Sequence, residues 1–201
     1  MVLFSELLNL ILREYRKEIF QVISPKEGDK ILDIGCGNGN QLFYIKKKLK
    51  RVFLFGIDLN KKAILKGKKK IEKNNLKDIH LKVADAREVP FNNNYFDCVL
   101  ISLMIHENRI RDAQKIIFEV KRVLKNGGTL VIADFNSLLP NNFLAKIIKL
   151  IELFVGRENY KNFKNYLFVG GIDYFLKNEN FDKITFFPKN QKIIKIIRWK
   201  K

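Results

Sequence analysis

The chain has 201 residues, 47% of them apolar and 30% charged, a balance ordinary for one globular domain. Such a length buries roughly 70% of its unfolded surface, enough for a full core. Lysine and arginine number 39 against 21 acids, giving a net charge of +18 that attracts polyanions such as RNA or anionic lipid.

The basic residues are spread along the chain, and Lys, Ile and Asn are abundant together, as AT-rich codon usage produces, so charge alone assigns no partner. No uninterrupted apolar run approaches the 18 residues or so of a membrane span. The N-terminus has no basic region, and Ser5, Glu6 and Asn9 interrupt its apolar run, unlike a secretory signal. Cys36, Cys98, His80 and His106 lack metal-ligand or C-x-x-C spacing. Free thiols in a reducing cytoplasm, and no metal, are the expectation.

In chain order, Phe4, Leu7, Leu8, Ile11, Tyr15 and Ile19 form a helical stripe opposed by Glu6, Arg13, Arg16 and Lys17. This predicts an amphipathic helix within residues 1–24, lying over the binding edge as a lid. "SPKEGD" breaks the chain, and Ile31, Leu32 and Ile34 read as a buried parallel strand. A helix carrying Leu42, Ile45 and Leu49 follows. "RVFLFGIDL" is a second strand, residues 61–73 a basic helix, and "IHLKVADA" a third strand. After the loop "VPFNNNYF" come a fourth strand, "DCVLISLM", and a helix over 110–125. "NGG" at 126–128 turns into a fifth strand, "TLVIADF". Residues 140–155 and "GGIDYFLKN" read as helical, and "KITFFP" and "KIIKIIRW" as a closing hairpin. Strand–helix alternation with two late strands argues an α/β chain whose parallel sheet carries an antiparallel edge. No repeat, linker or boundary divides residues 1–201, so a single domain is expected.

The candidate site begins at "ILDIGCGNGN", residues 31–40, a glycine-rich strand-to-helix turn. Glycine there permits positive φ and close approach of a ligand, and the helix N-terminus behind it offers free N–H groups. The spacing Gly35-x-Gly37-x-Gly39 is one residue short of the dinucleotide fingerprint, and Asp33 precedes it by two. A carboxylate suits a cationic ligand better than a pyrophosphate. Asp58 ends the second strand, 23 residues after Gly35, where an acid accepts ribose hydroxyls without choosing between nucleoside ligands. Asp85 ends the third strand, followed by "VPFNNNYFD" and "RVLKNGG".

Together these resemble the D-x-G-x-G-x-G and later motifs of class I S-adenosylmethionine (SAM) methyltransferases, strongly over residues 28–136, and most the type-11 group that includes quinone-biosynthesis methyltransferases. "RVLKNGG" departs from the family's "RVLKPGG" only by Asn126. The resemblance implies a Rossmann-like, doubly wound, three-layer αβα fold with strand order 3-2-1-4-5-7-6 and the last strand antiparallel. It implies SAM held by Asp33, Gly35, Cys36, Gly37 and Gly39, with Asp58 and Leu59 at the ribose. Asp85 would accept the adenine amino group, the Ala86 backbone would read the ring edge, and Ser102 and Leu103 would line the methionine part.

The stretch "SLMIHENR" should face the methyl, with His106 as general base or as a simple loop residue, and Glu107 and Arg109 as loop or helix-start residues. It lacks the Asn/Asp-Pro-Pro-aromatic motif of adenine amino methylation, and Cys98 lies within the strand rather than in a catalytic loop. The expected acceptor is a small, apolar or aromatic molecule. The resemblance implies a helical acceptor-side insertion over 137–180 as its cover, with Phe143, Ile147, Phe154, Tyr160 and Phe163 either excluding water there or simply packing the helices. RNA binding or RNA methylation through the basic surface is the alternative.

Overall fold

The computed structural model describes the backbone of residues 2–177 and 179–201, with side chains from residue 11 onward. Helix α1 spans Val2–Ile23, as the apolar stripe predicts. Tyr15 and Ile19 are buried on that stripe, whereas Ile11 is exposed. The side-chain expectations for Phe4, Glu6, Leu7 and Leu8 lie outside the described residues.

Strand β1 (Lys30–Ile34), helix α2 (Asn40–Lys48), strand β2 (Phe53–Asp58), helix α3 (Lys61–Lys73) and strand β3 (Ile79–Val83) follow in alternation. Then come β4 (Phe96–Ser102), a short 3₁₀ turn at Ile105–Glu107, α4 (Ile110–Val123) and β5 (Leu124–Phe135). Three helices, α5 (Phe143–Val155), α6 (Arg157–Phe168) and α7 (Ile172–Phe175), precede the hairpin of β6 (Phe181–Phe187) and β7 (Ile194–Lys200).

The seven strands form one sheet in the order β3-β2-β1-β4-β5-β7-β6. Strands β1 to β5 pair in parallel, and β7 runs antiparallel to both β5 and β6. The antiparallel strand therefore lies one in from the edge, because the tight β6–β7 hairpin returns the chain between β6 and β5. Central strands buried on both faces explain the unbroken apolar runs: Ile31, Leu32, Ile34, Val99, Leu100 and Ile101 are fully enclosed. The "NGG" turn is absorbed into β5. The register steps from Phe96↔Leu124 to Cys98↔Thr129, and Gly127 takes φ +74° within the extra residues.

Asp97 ties the N-terminal edge of the sheet together. It accepts from the Lys30 backbone N–H at 2.9 Å and pairs with Lys125 at 2.6 Å. The opposite edge is left free. The strand order reverses between β1 and β4, and open α/β sheets bind ligands outside the carboxyl ends at such a switch point.

Candidate functional site

After β1 the chain turns through Gly35, Gly37 and Gly39 at φ +73°, +55° and +77°. A Cβ on Gly35 would meet Met104 Cγ at 2.9 Å, so only glycine lets the two loops close on each other. One on Gly37 would meet nothing within 4 Å, since Gly37 borders open space. The Gly35 and Cys36 N–H groups both donate to the Ile57 carbonyl, at 2.8 and 3.0 Å, which locks the loop to the end of β2. Gly39 caps α2 and has no side chain to offer its first-turn N–H groups.

These glycines open onto a cleft of about 570 Å³ across the carboxyl ends of β1, β2, β3 and β4. Of the sequence-predicted residues, Gly35, Gly37, Asp58, Leu59, Asp85, Ala86 and Leu103 line it. Asp58 holds the floor: its Oδ2 accepts from the Gly37 N–H and its Oδ1 from the Asn60 N–H, each at 2.7 Å. Each oxygen keeps a further lone pair for a hydroxyl. Leu103 sits at φ +52°, a conformation that costs a branched residue roughly 1–3 kcal/mol and is found where the surroundings over-determine it. Its N–H donates to the Ala133 carbonyl at 2.8 Å, which fixes the strained turn at the cleft wall.

Asp33 lies behind the glycine loop, only 2% exposed. Its Oδ1 has no hydrogen-bond partner among the described residues. Burial, and then the charge of Asp58, push its carboxyl up to about 8. A buried carboxylate without a partner is costly, and an arriving cation would relieve it. Gly39 and Cys36 lie buried in the same loop.

Asp85 reaches the cleft already engaged. Arg87 donates Nε to Oδ1 at 3.0 Å and Nη2 to Oδ2 at 2.6 Å, and its Nη1 lies 3.4 Å from Asp112. The Arg87 hydrogen bonds hold the Asp85 carboxyl below its ordinary range. Sequence reasoning missed Arg87 as a lining residue, although its place two after Asp85 in "ADARE" was visible. Met104 and Asn108, within the "SLMIHENR" stretch expected to face the methyl, line the cleft too, whereas Asn159, from the distant helix α6, was missed.

Two expected residues are turned away. The Ser102 hydroxyl pairs with the Tyr15 hydroxyl of α1 at 2.8 Å rather than lining the cleft, since α1 packs over the neighbouring β5 and β7. His106 is 3% exposed, enclosed by Phe135, Phe163 and Tyr166. Its Nδ1 meets Asp134 Oδ1 at 2.5 Å and its Nε2 lies 3.8 Å from Glu152 Oε1 on α5. Burial disfavours the charged ring, but Asp134, Glu152 and Glu107 outweigh it and hold the imidazole above its usual value. Glu107, expected as a plain loop residue, borders the cleft, and burial raises its carboxyl. Arg109 caps α4 and pairs with Glu158 at 2.6 Å on the surface.

The water-excluding set is corrected in part. Phe163 is buried against His106, but Phe143 and Phe154 are 78% and 81% exposed. The inward face of α5 is taken by Leu144, Ala145, Ile148 and Glu152, which leaves Phe143 and Phe154 on the outer side.

A family profile described as a methyltransferase domain matches residues 25–166. The chain belongs to the class I SAM-dependent methyltransferases. SAM is accordingly its cofactor, and the donor set fits it: a buried carboxylate with one oxygen unpartnered among the described residues for an ammonium, a cleft-floor acid for a ribose, and an open glycine turn. A demethylmenaquinone methyltransferase of Lactobacillus johnsonii is 34% identical over 155 residues, 76% of this methyltransferase and 59% of that protein. One from Bacillus cereus is 27% identical over 158 residues, 77% of this chain and 66% of that one. The chain thus spans less than two thirds of either relative. Among solved structures, a SAM-dependent methyltransferase from Aquifex aeolicus superposes with TM-score 0.68 at 19% identity, covering 92% of this chain and 88% of that one. A geranyl diphosphate C-methyltransferase from Streptomyces coelicolor gives TM-score 0.70 at 12% identity, covering 96% and 81%. At these identities the structural likeness speaks for the fold.

Proposed function

We propose that this methyltransferase transfers the methyl group of SAM to a small, apolar, quinone-like acceptor. The observation that carries the SAM-binding part of the reading is Asp33, a buried carboxylate with one oxygen unpartnered among the described residues. It is placed to meet the ammonium of SAM, with the backbone of Gly35, Cys36, Gly37 and Gly39 around the amino-acid part. Asp58 and Leu59 take the ribose, Asp85 and Ala86 the adenine, and Leu103 the methionine chain, with Ser102 behind it. Arg87 would shift toward Asp112 as adenine arrives at Asp85. Bound SAM supplies an activated methyl on a sulfonium, so the protein's main task is to hold the acceptor in line, which is worth up to roughly 7–11 kcal/mol.

Support for the acceptor comes from the names of the relatives. In this reading α1, α5 and α6 form the cover over the acceptor. His106, with Nδ1 held by Asp134, takes a proton on Nε2 once an acceptor displaces Glu152 from it. RNA is the less favoured partner, since the α5 surface presents Leu, Ile and Phe rather than a stacking groove. The two free thiols, Cys36 and Cys98, suit a reducing cytoplasm. The test is methyl-labelled SAM incubated with cell-extract fractions of small molecules, lipids, RNA and protein. Label is expected in the lipid or small-molecule fraction. Label confined to RNA or protein would overturn the acceptor reading.

A further inference from the structure

Helix α5 is apolar on both faces, with Leu144, Ala145 and Ile148 packed inward. Its one acid, Glu152, points inward to His106, while Phe143, Leu150, Ile151, Phe154 and Val155 stand more than half exposed. Phe168, at the end of α6, is 89% exposed and adds to the apolar surface of this helical segment. An apolar surface of this kind marks an interaction site rather than ordinary surface. The exposed charges on α5 are Lys146 and Lys149, and α6 adds Arg157, Lys161 and Lys164. The one α6 acid, Glu158, is paired with Arg109.

We infer that the outer face of α5 docks on an anionic lipid bilayer. Three occupants compete for such a face, and charge separates them. A second copy would bring the same lysines and another +18 against this rim. A nucleic acid would satisfy the lysines but leave the Leu, Ile and Phe side chains without an apolar partner. A bilayer with anionic headgroups satisfies both, with lysines at the headgroups and the apolar residues at the acyl boundary. Among the described residues no helix is long and apolar enough to cross a membrane, and α5 has 13 residues, so it lies in the interface plane. The inner face of the same helix meets His106, which places the docking surface one helix thickness from the candidate reaction site.

The test uses the ligand-free full chain and sedimentation with vesicles, so its failure would leave the methyl-transfer reading intact. Vesicles of equimolar phosphatidylglycerol and phosphatidylcholine should bind the protein, and pure phosphatidylcholine vesicles far less. The double variant Leu150→Glu/Phe154→Glu should bind at least about tenfold more weakly, from the loss of two buried apolar side chains. Its SAM binding and thermal midpoint should be unchanged. A conservative Phe154→Trp variant should show a blue shift of its added emission on anionic vesicles only. Binding that high salt abolishes but the α5 variants leave intact would overturn the proposal in favour of a basic surface alone. So would absence of vesicle binding, or a concentration-dependent dimer that the double variant abolishes.

Discussion

A carboxylate sealed from water with one oxygen unpartnered stays neutral or waits for a cation, and Asp33 is that residue here. Its pKa, raised by burial and by Asp58 to about 8, means that the folded chain keeps a proton the unfolded chain releases above about 4. The resulting contribution to stability is fully present below the unfolded value and is lost as pH climbs toward 8. The ligand-free protein should therefore lose thermal stability between about pH 4 and 8, by at most about 6 kcal/mol from this group. Asp33→Asn should flatten that slope, raise the midpoint at pH 8 and remove the SAM-induced stabilisation. Melting curves across pH check it, and an unchanged slope in the variant would contradict it. The identity of Asp33 was legible from its place two before Gly35. Its isolation was not, because it depends on β2 and β4 closing over it, with Gly56 and Leu100 as sheet neighbours. The Tyr15–Ser102 pair was hidden for a similar reason, since it joins residues 87 apart.

Periodicity located β1 to β4 and α3 closely and read α1 as one helix, but it started the fifth strand five residues late and did not read α6, Arg157–Phe168, as a helix. It found α5 but not which of its apolar residues face inward: Leu144 and Ile148 do, Phe143 and Phe154 do not. An ionic cluster of Asp134 from β5, Glu152 from α5 and Glu107 from the 3₁₀ turn surrounds His106, and no spacing rule joins residues so far apart. These carboxylates outweigh the burial of the ring and raise its pKa above the ordinary 6.5. A general base must be neutral to accept a proton, so turnover should rise with pH through a limb above that value. Glu152→Gln should move the limb downward by removing one negative charge. His106→Ala should cut turnover by roughly 10²–10⁴-fold with SAM affinity kept, the usual scale of acid–base catalysis. A loss under about tenfold, or a pH limb unmoved in Glu152→Gln, would leave His106 as a buried tie between α5 and β5.

On the scale of the whole molecule, the sheet order puts the glycine turn, Asp58 and Asp85 on one edge, at the reversal between β1 and β4. That order was expected from resemblance; alternation alone indicated a parallel sheet but could not insert β7 between β5 and β6. The net charge of +18 does not enter the cleft, whose lining carries Asp58, Asp85 and Glu107 against Arg87. The cleft's balance favours a cationic, nucleoside-bearing ligand, whereas a dinucleotide would bring two phosphates toward three acids. Titration calorimetry with SAM and with NADH tests this most directly. SAM should bind with one site per chain. Asp58→Ala should weaken it by roughly 10–150-fold, the scale of a lost charge-assisted hydrogen bond, and Gly37→Val should abolish it, while NADH gives no heat. Binding of NADH without binding of SAM, or SAM affinity unchanged in both variants, would contradict the account.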